Sequence, residues 1–217
     1  MVHRERKSLV VIENFVAFGA GFMLAVALLE MLPEALARSA TAGYYVLGGY
    51  LAVHLAQHVF VPHFHYGEET HAVSPKTGVS ALIGLSLHTF FDGVAIASGF
   101  LVSPELGLLL FLAVLFHKLP EGVAIASVML AGGQGRSRAM AAAAMLGVAT
   151  LVGFLTTTEA AGLATHGLAI SAGVTIYVAA SDLVPEFQAK RHWPTPVAFF
   201  GGAAAFFVTQ VVIRALS

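Results

Sequence analysis

Cysteine is absent from this 217-residue chain, and charged residues make up only 11% of it. The first absence removes disulfides and thiolate ligands together, so any metal site must be built from nitrogen and oxygen, and nothing reports the redox compartment. The second stands against 58% hydrophobic residues and a positive mean hydropathy, more apolar surface than a soluble domain can bury. The chain therefore reads as all-α, a polytopic membrane bundle of about seven spans. Cutting the apolar runs at turn and charge signals places the spans at 9–37, 42–62, 78–101, 106–131, 139–163, 167–187 and 196–216. A single transmembrane domain, 1–217, follows, with a loop over 63–77 inside it and no room for a separate soluble domain. The start has a basic head and an apolar run but lacks a small-residue cleavage site, so it reads as retained helix rather than signal peptide.

Net charge is close to zero, and its placement carries the information. With the N-terminus in the cytoplasm, seven alternating spans put Arg4, Arg6, Lys7, Lys76, Arg136, Arg138, Lys190 and Arg191 inside, against Arg38 and Arg214 outside. The C-terminus is then outside, and the surrounding membrane is expected to be a plasma (inner) membrane. Lys118 alone among the lysines and arginines lies deep within a span rather than near its end.

Two segments share one construction: His88-Thr-Phe-Phe-Asp92-Gly-Val-Ala-Ile-Ala-Ser and His117-Lys-Leu-Pro-Glu121-Gly-Val-Ala-Ile-Ala-Ser. Each sets an imidazole and a carboxylate four apart, on one face of a helix at about midplane depth. An acidic or basic side chain there costs roughly 2.5 to 3.5 kcal/mol on insertion scales, so this group needs partners, and a metal cation serves them all. The short connection at Ser103-Pro104-Glu105 makes the two spans antiparallel, which levels His88 with Glu121 and Asp92 with His117. The small residues Gly93, Ala97, Gly122 and Ala126 are expected to let these two backbones approach. Pro120 removes the amide that would bond the Phe116 carbonyl.

A second internal match joins the first and sixth spans. Ala20-Gly21 and Glu30-Met-Leu-Pro33-Glu34 align with Ala172-Gly173 and Asp182-Leu-Val-Pro185-Glu186 at a constant offset. The charge assignment runs these two helices in opposite directions, as an inverted repeat requires. The first unit is one helix short of the second, so either that helix is absent or the start lies upstream of residue 1.

On these residues the chain resembles the ZIP-type (Zrt/Irt-like) divalent metal transporters. The resemblance implies an eight-span fold here lacking the family's first helix, with a primary site of His88, Asp92, His117 and Glu121. Where a family second metal would sit, this sequence has Thr89, Lys118 and Glu159, which implies a single-metal site with Lys118 as tethered counter-ion, paired with Glu159. The implied activity is transport rather than catalysis: divalent transition metals, zinc first, then iron, manganese, cobalt or cadmium, enter the cytoplasm by alternating access. Spans one, three and four, with or without five, are expected to move against the rest. Metal ion and lipid are the expected partners, a homodimer is allowed by the resemblance, and no nucleic acid is expected.

Further candidates line the path. Glu30 and Glu34 stand at the outer end of span one, Asp182 and Glu186 at the inner end of span six, and His54, His58, His63 and His65 lead into the histidine-rich cytoplasmic loop, where imidazoles suit ion collection or sensing. Two rival classes share the midplane site. An intramembrane metalloprotease requires HExxH, which neither segment spells. A non-transporting metal sensor or scaffold stays open.

Overall fold

The computed structural model describes residues 2–60, 75–185 and 193–216, and every regular element among them is helical. Helix α1 (Val2–Val26) passes through a π-bulge at Ala27–Met31 into α2 (Leu32–Arg38). Then follow α3 (Ala42–Phe60), α4 (Pro75–Val102), α5 (Pro104–Ala131), α6 (Arg136–Glu159), α7 (Ala161–Tyr177) with a second π-bulge at Val178–Leu183, and α8 (Pro194–Leu216). Among the described residues six helices are long and apolar enough to cross a membrane: α1 with α2, α4, α5, α6, α7 with its bulge, and α8. The expected second span, α3, falls below that standard because Tyr50, His54 and Gln57 interrupt its apolar run.

Both π-bulges end two residues before a proline, Pro33 or Pro185. A proline ring inside a helix collides with the carbonyl four residues earlier, and a widened turn relieves that collision. Because the bulge recurs at repeat-related positions, the first and sixth spans share backbone shape as well as sequence.

Helix α8 packs along α1 and α3 packs along α7, each pair through paired glycines. A Cβ on Gly21 would strike the Phe199 carbonyl, and one on Gly202 the Phe18 carbonyl; Gly49 and Gly173 stand in the same relation to Ile170 and Val46. Contacts climb both pairs in step, from Gly21 to Glu30 as from Phe199 to Gln210, and from Tyr45 and His166 to Gln57 and Asp182. The partners in each pair are therefore parallel. With α1 and α3 joined by the short turn at 39–41, α1 and α7 run oppositely, which is the inverted relation the repeat requires.

The remaining three helices form their own unit, α4 against α5 and α6, and meet the other four mainly through α7 and α1. Two expectations need correction here. Span one packs chiefly on α8 and therefore belongs with α3, α7 and α8, not with the site-bearing helices. Gly93 and Gly122 do not join α4 to α5: Gly93 lies against the Thr150 carbonyl of α6, and Gly122 has only Ala143 nearby. The close approach of α4 to α5 is made instead by Gly99 on Gly107, beside the turn at Ser103, whose side chain accepts the Leu106 amide at 3.1 Å.

The break between the fifth and sixth spans also comes earlier than the sequence suggests. Ala160 alone is extended, and its carbonyl already accepts the Ala164 amide. Ala164, Thr165 and His166, expected to connect the two spans, are helical within α7, and Gly167 after them lies where Val94 and Ser98 of α4 press close.

Adjacent glycines in α8 provide a test of this packing. Gly202→Ala must push α1 away and should cost about 1 to 3 kcal/mol, whereas Gly201→Ala meets nothing within 4 Å and should gain up to ~1 kcal/mol from helix propensity. Thermal unfolding of the two variants in one detergent, with opposite shifts, is the expected result.

Candidate metal centre

The register of α4 against α5 follows from their shared construction. His88 and His117 each lie thirteen residues beyond the proline that opens the helix, so an antiparallel pairing brings each imidazole opposite the other helix's acid. His88 Nε2 is 3.0 Å from Glu121 Oε1, and His117 Nε2 is 3.2 Å from Asp92 Oδ2. His88, Asp92 and His117 are buried, and the Glu121 side chain is only 8% exposed. One ligand atom from each of the four lies within 4.8 Å of every other. Among the described residues no other group of three such side chains converges this way.

Local hydrogen bonds aim these atoms. His117 Nδ1 is 2.9 Å from the Ala113 carbonyl, an acceptor only, so Nδ1 carries the proton and Nε2 points inward. Thr89 Oγ1 lies 2.6 Å from the Leu85 carbonyl and 2.9 Å from Glu121 Oε1, so its single proton is shared between the helix's own backbone and that carboxylate. His88 Nδ1 is buried without a hydrogen-bond partner, which leaves that ring less firmly oriented than His117.

Pro120 contributes through its neighbours. The Phe116 carbonyl that it frees lies 3.4 Å from where a Cβ on Gly19 would stand, so α1 closes on α5 at that point. The Phe116 ring meets Phe18 and Phe22 edge-on at 5.3 and 5.2 Å. The carbonyl thereby faces the α1 backbone at Gly19.

Lys118 completes the cluster. Its ammonium is 2.9 Å from Asp92 Oδ2 and 2.8 Å from Glu121 Oε2, bridging the two acids. Without it, two carboxylates would share a nearly water-free pocket with only imidazoles for company. The predicted pairing with Glu159 is therefore replaced: that residue is exposed at the end of α6, while the ammonium is held at the centre. The reason is reach, since Lys118 follows His117 directly and lies three residues from Glu121 on its own helix.

The family model described as ZIP Zinc transporter matches residues 68–210, a stretch that contains all of this cluster. The chain belongs to the ZIP zinc transporter family. None of the curated proteins compared with it matches. Membership and the long apolar helices support an integral membrane protein, of a family whose members are transporters of divalent metals rather than enzymes.

The other candidates in this ZIP protein are scattered. Glu34 forms an exposed pair with Arg38 at 2.7 Å. Glu30 lines a cavity with Gln210 and Arg214, and Asp182 accepts a hydrogen bond from Gln57. The His54 and His58 rings lie with centroids 4.1 Å apart, tilted at 42°, on the exposed side of α3. His63, His65, His71 and Glu186 lie outside the described residues. Sequence reasoning passed over Gln57 and Gln210, although a glutamine in the same place on two repeat-related helices was a signal.

The role of Lys118 can be measured without any metal. Lys118→Met leaves two buried carboxylates uncompensated and should destabilise the protein by about 3 kcal/mol. Adding Asp92→Asn to that variant should restore part of the loss in a denaturation series.

Proposed function

We propose that this protein moves a divalent transition-metal cation, zinc before iron, manganese, cobalt or cadmium, across the membrane into the cytoplasm. The supporting observation is the convergence of His88, Asp92, His117 and Glu121 to within 4.8 Å at the middle of two long apolar helices. A zinc ion bonded to nitrogen and oxygen at about 2.0 to 2.2 Å needs ligand atoms roughly 3.4 Å apart, so a contraction of at most about 1.4 Å closes the set. Imidazole with carboxylate suits an ion that must leave again, unlike the all-thiolate cages of structural zinc.

Lys118 makes the site single-metal. A doubly charged ion about 4 Å from an ammonium is opposed by roughly 8 kcal/mol at an effective dielectric near 20. Ion and ammonium therefore exclude one another, and loading the site moves Lys118 off Asp92 and Glu121. The three-helix unit α4 to α6 is the moving body, because it carries every ligand and packs as a group against α1, α3, α7 and α8. Alternating access then consists of its displacement along those four helices.

The charge asymmetry of the sequence supports a cytoplasmic N-terminus and an outer C-terminus, with the histidine-rich segment 63–77 receiving the ion inside. The whole of 1–217 acts as one transport domain. A homodimer is compatible with this scheme but is not required by it.

Radiotracer zinc flux into proteoliposomes is the test. His117→Ala and Glu121→Ala should each lower the rate at least ~100-fold, in line with the loss of a liganding group, and calorimetry should give one ion per chain. Flux unchanged in either variant would discard the site. Stoichiometric binding with no flux in the unmodified protein would instead favour a sensor.

A further inference from the structure

Outside the midplane cluster, the two repeats build one polar device twice. Glu30 sits on the first π-bulge and accepts a hydrogen bond from Gln210 of α8. Asp182 sits on the second and accepts one from Gln57 of α3. Glu30 and Asp182 are repeat-related, and so are the glutamines, since the same shift that carries Gly49 to Gly202 carries Gln57 to Gln210. The two pairs stand at opposite ends of the bundle because the repeats are inverted.

A carboxylate inside a span is costly, and an apolar residue on each bulge would pack without a partner. Each acid is instead held by an amide, which orients it without neutralising it. At the Glu30 end the pair borders a cavity of about 320 Å³, lined also by Ser103, Glu105 and Arg214. Six waters at ~30 Å³ each need roughly 180 Å³, so the cavity admits a cation with its first hydration shell. Arg214 Nη2 stands 3.8 Å from Glu30 Oε1, too far for a tight pair, and its side chain is mostly exposed. At the other end, Gln57 is itself fixed by the Tyr177 hydroxyl at 3.2 Å, and Tyr50 ties Ser181 of the same bulge at 3.0 Å. His54 packs against Tyr177 beside this network.

We propose that Gln210 and Gln57 are positioning residues for the transported ion, each holding a π-bulge carboxylate, Glu30 or Asp182, to meet a hydrated divalent cation at one end of the path. This rests on the transport reading above. The bulge sets the acid against the neighbouring helix, and the glutamine there fixes its rotamer for the ion. The mouths differ in their competing groups: a guanidinium beside Glu30, and imidazoles of α3 near Asp182.

Sided zinc flux with the full chain in oriented proteoliposomes tests the assignment. Glu30→Gln keeps an amide in the pair but removes the charge; it should raise KM about ten-fold for zinc supplied on the face that presents Glu30, with maximal rate within about two-fold. Asp182→Asn should do the same only for the opposite face. The exchange variant Glu30→Gln with Gln210→Glu returns one carboxylate to the cavity and should recover most of the lost KM. Unchanged KM in both single variants, an effect on both faces alike, or folded exchange protein without recovery would overturn the proposal. If the unmodified protein shows no flux, the transport reading fails first, and zinc titration in a Glu121→Ala background decides this one. Residual weak binding that disappears with Glu30→Gln and Asp182→Asn together sustains it, and its absence in the parent overturns it.

Discussion

Two carboxylates facing each other at the centre of an apolar bundle are the constraint from which the rest of this structure follows. Neither Asp92 nor Glu121 has enough water to stay charged alone, and each is met by an imidazole from the opposite helix and by one shared ammonium. That arrangement holds only if α4 and α5 are antiparallel and in one register. The Ser103 cap and the contact of Gly99 with Gly107 set that register at the turn. A slip of one residue would rotate each acid about 100° away from its imidazole.

Close backbone approach is the second requirement, and it is met the same way throughout. Hydrophobic burial provides little drive between helices in lipid, so association depends on packing and on weak polar contacts between backbones. Gly93 and Gly153 bring α4 onto α6 as Gly21 and Gly202 bring α1 onto α8 and Gly49 and Gly173 bring α3 onto α7. Each pair seats a carbonyl of one helix where the other lacks a side chain. Three such seams divide the molecule into two pairs and a trio, and the trio carries the site.

The midplane site was legible because its residue types are improbable in lipid and its spacing is helical, so His88, Asp92, His117 and Glu121 could be levelled against one another from the short turn alone. The partner of Lys118 was not legible. Sequence gives depth along a helix but not rotation about it, and the ammonium found the two nearest acids rather than Glu159. The small residues misled for the same reason: Gly93 and Gly122 recur in a matched motif, yet one faces α6 and the other meets little. The start of α7 was obscured because glycine and threonine punctuate soluble loops but serve close packing in membrane helices. The π-bulges left a faint trace, a proline at repeat-related positions, without any sign that the turn before it would widen.

Lys118 also bears on the return half of a transport cycle. An ion leaving a site of two carboxylates strips two positive charges from a water-poor pocket, and the empty carrier would then have to move with both acids bare. A tethered ammonium that re-enters as the ion departs keeps one compensating charge in place, so the empty site stays close in charge to the loaded one. Its stem is long enough to swing aside, and 21% of the side chain is already exposed. A second metal would offer no such substitution, because it would have to be released and recaptured in each cycle. On this view the lysine is what lets a buried pair of acids serve an ion that does not stay.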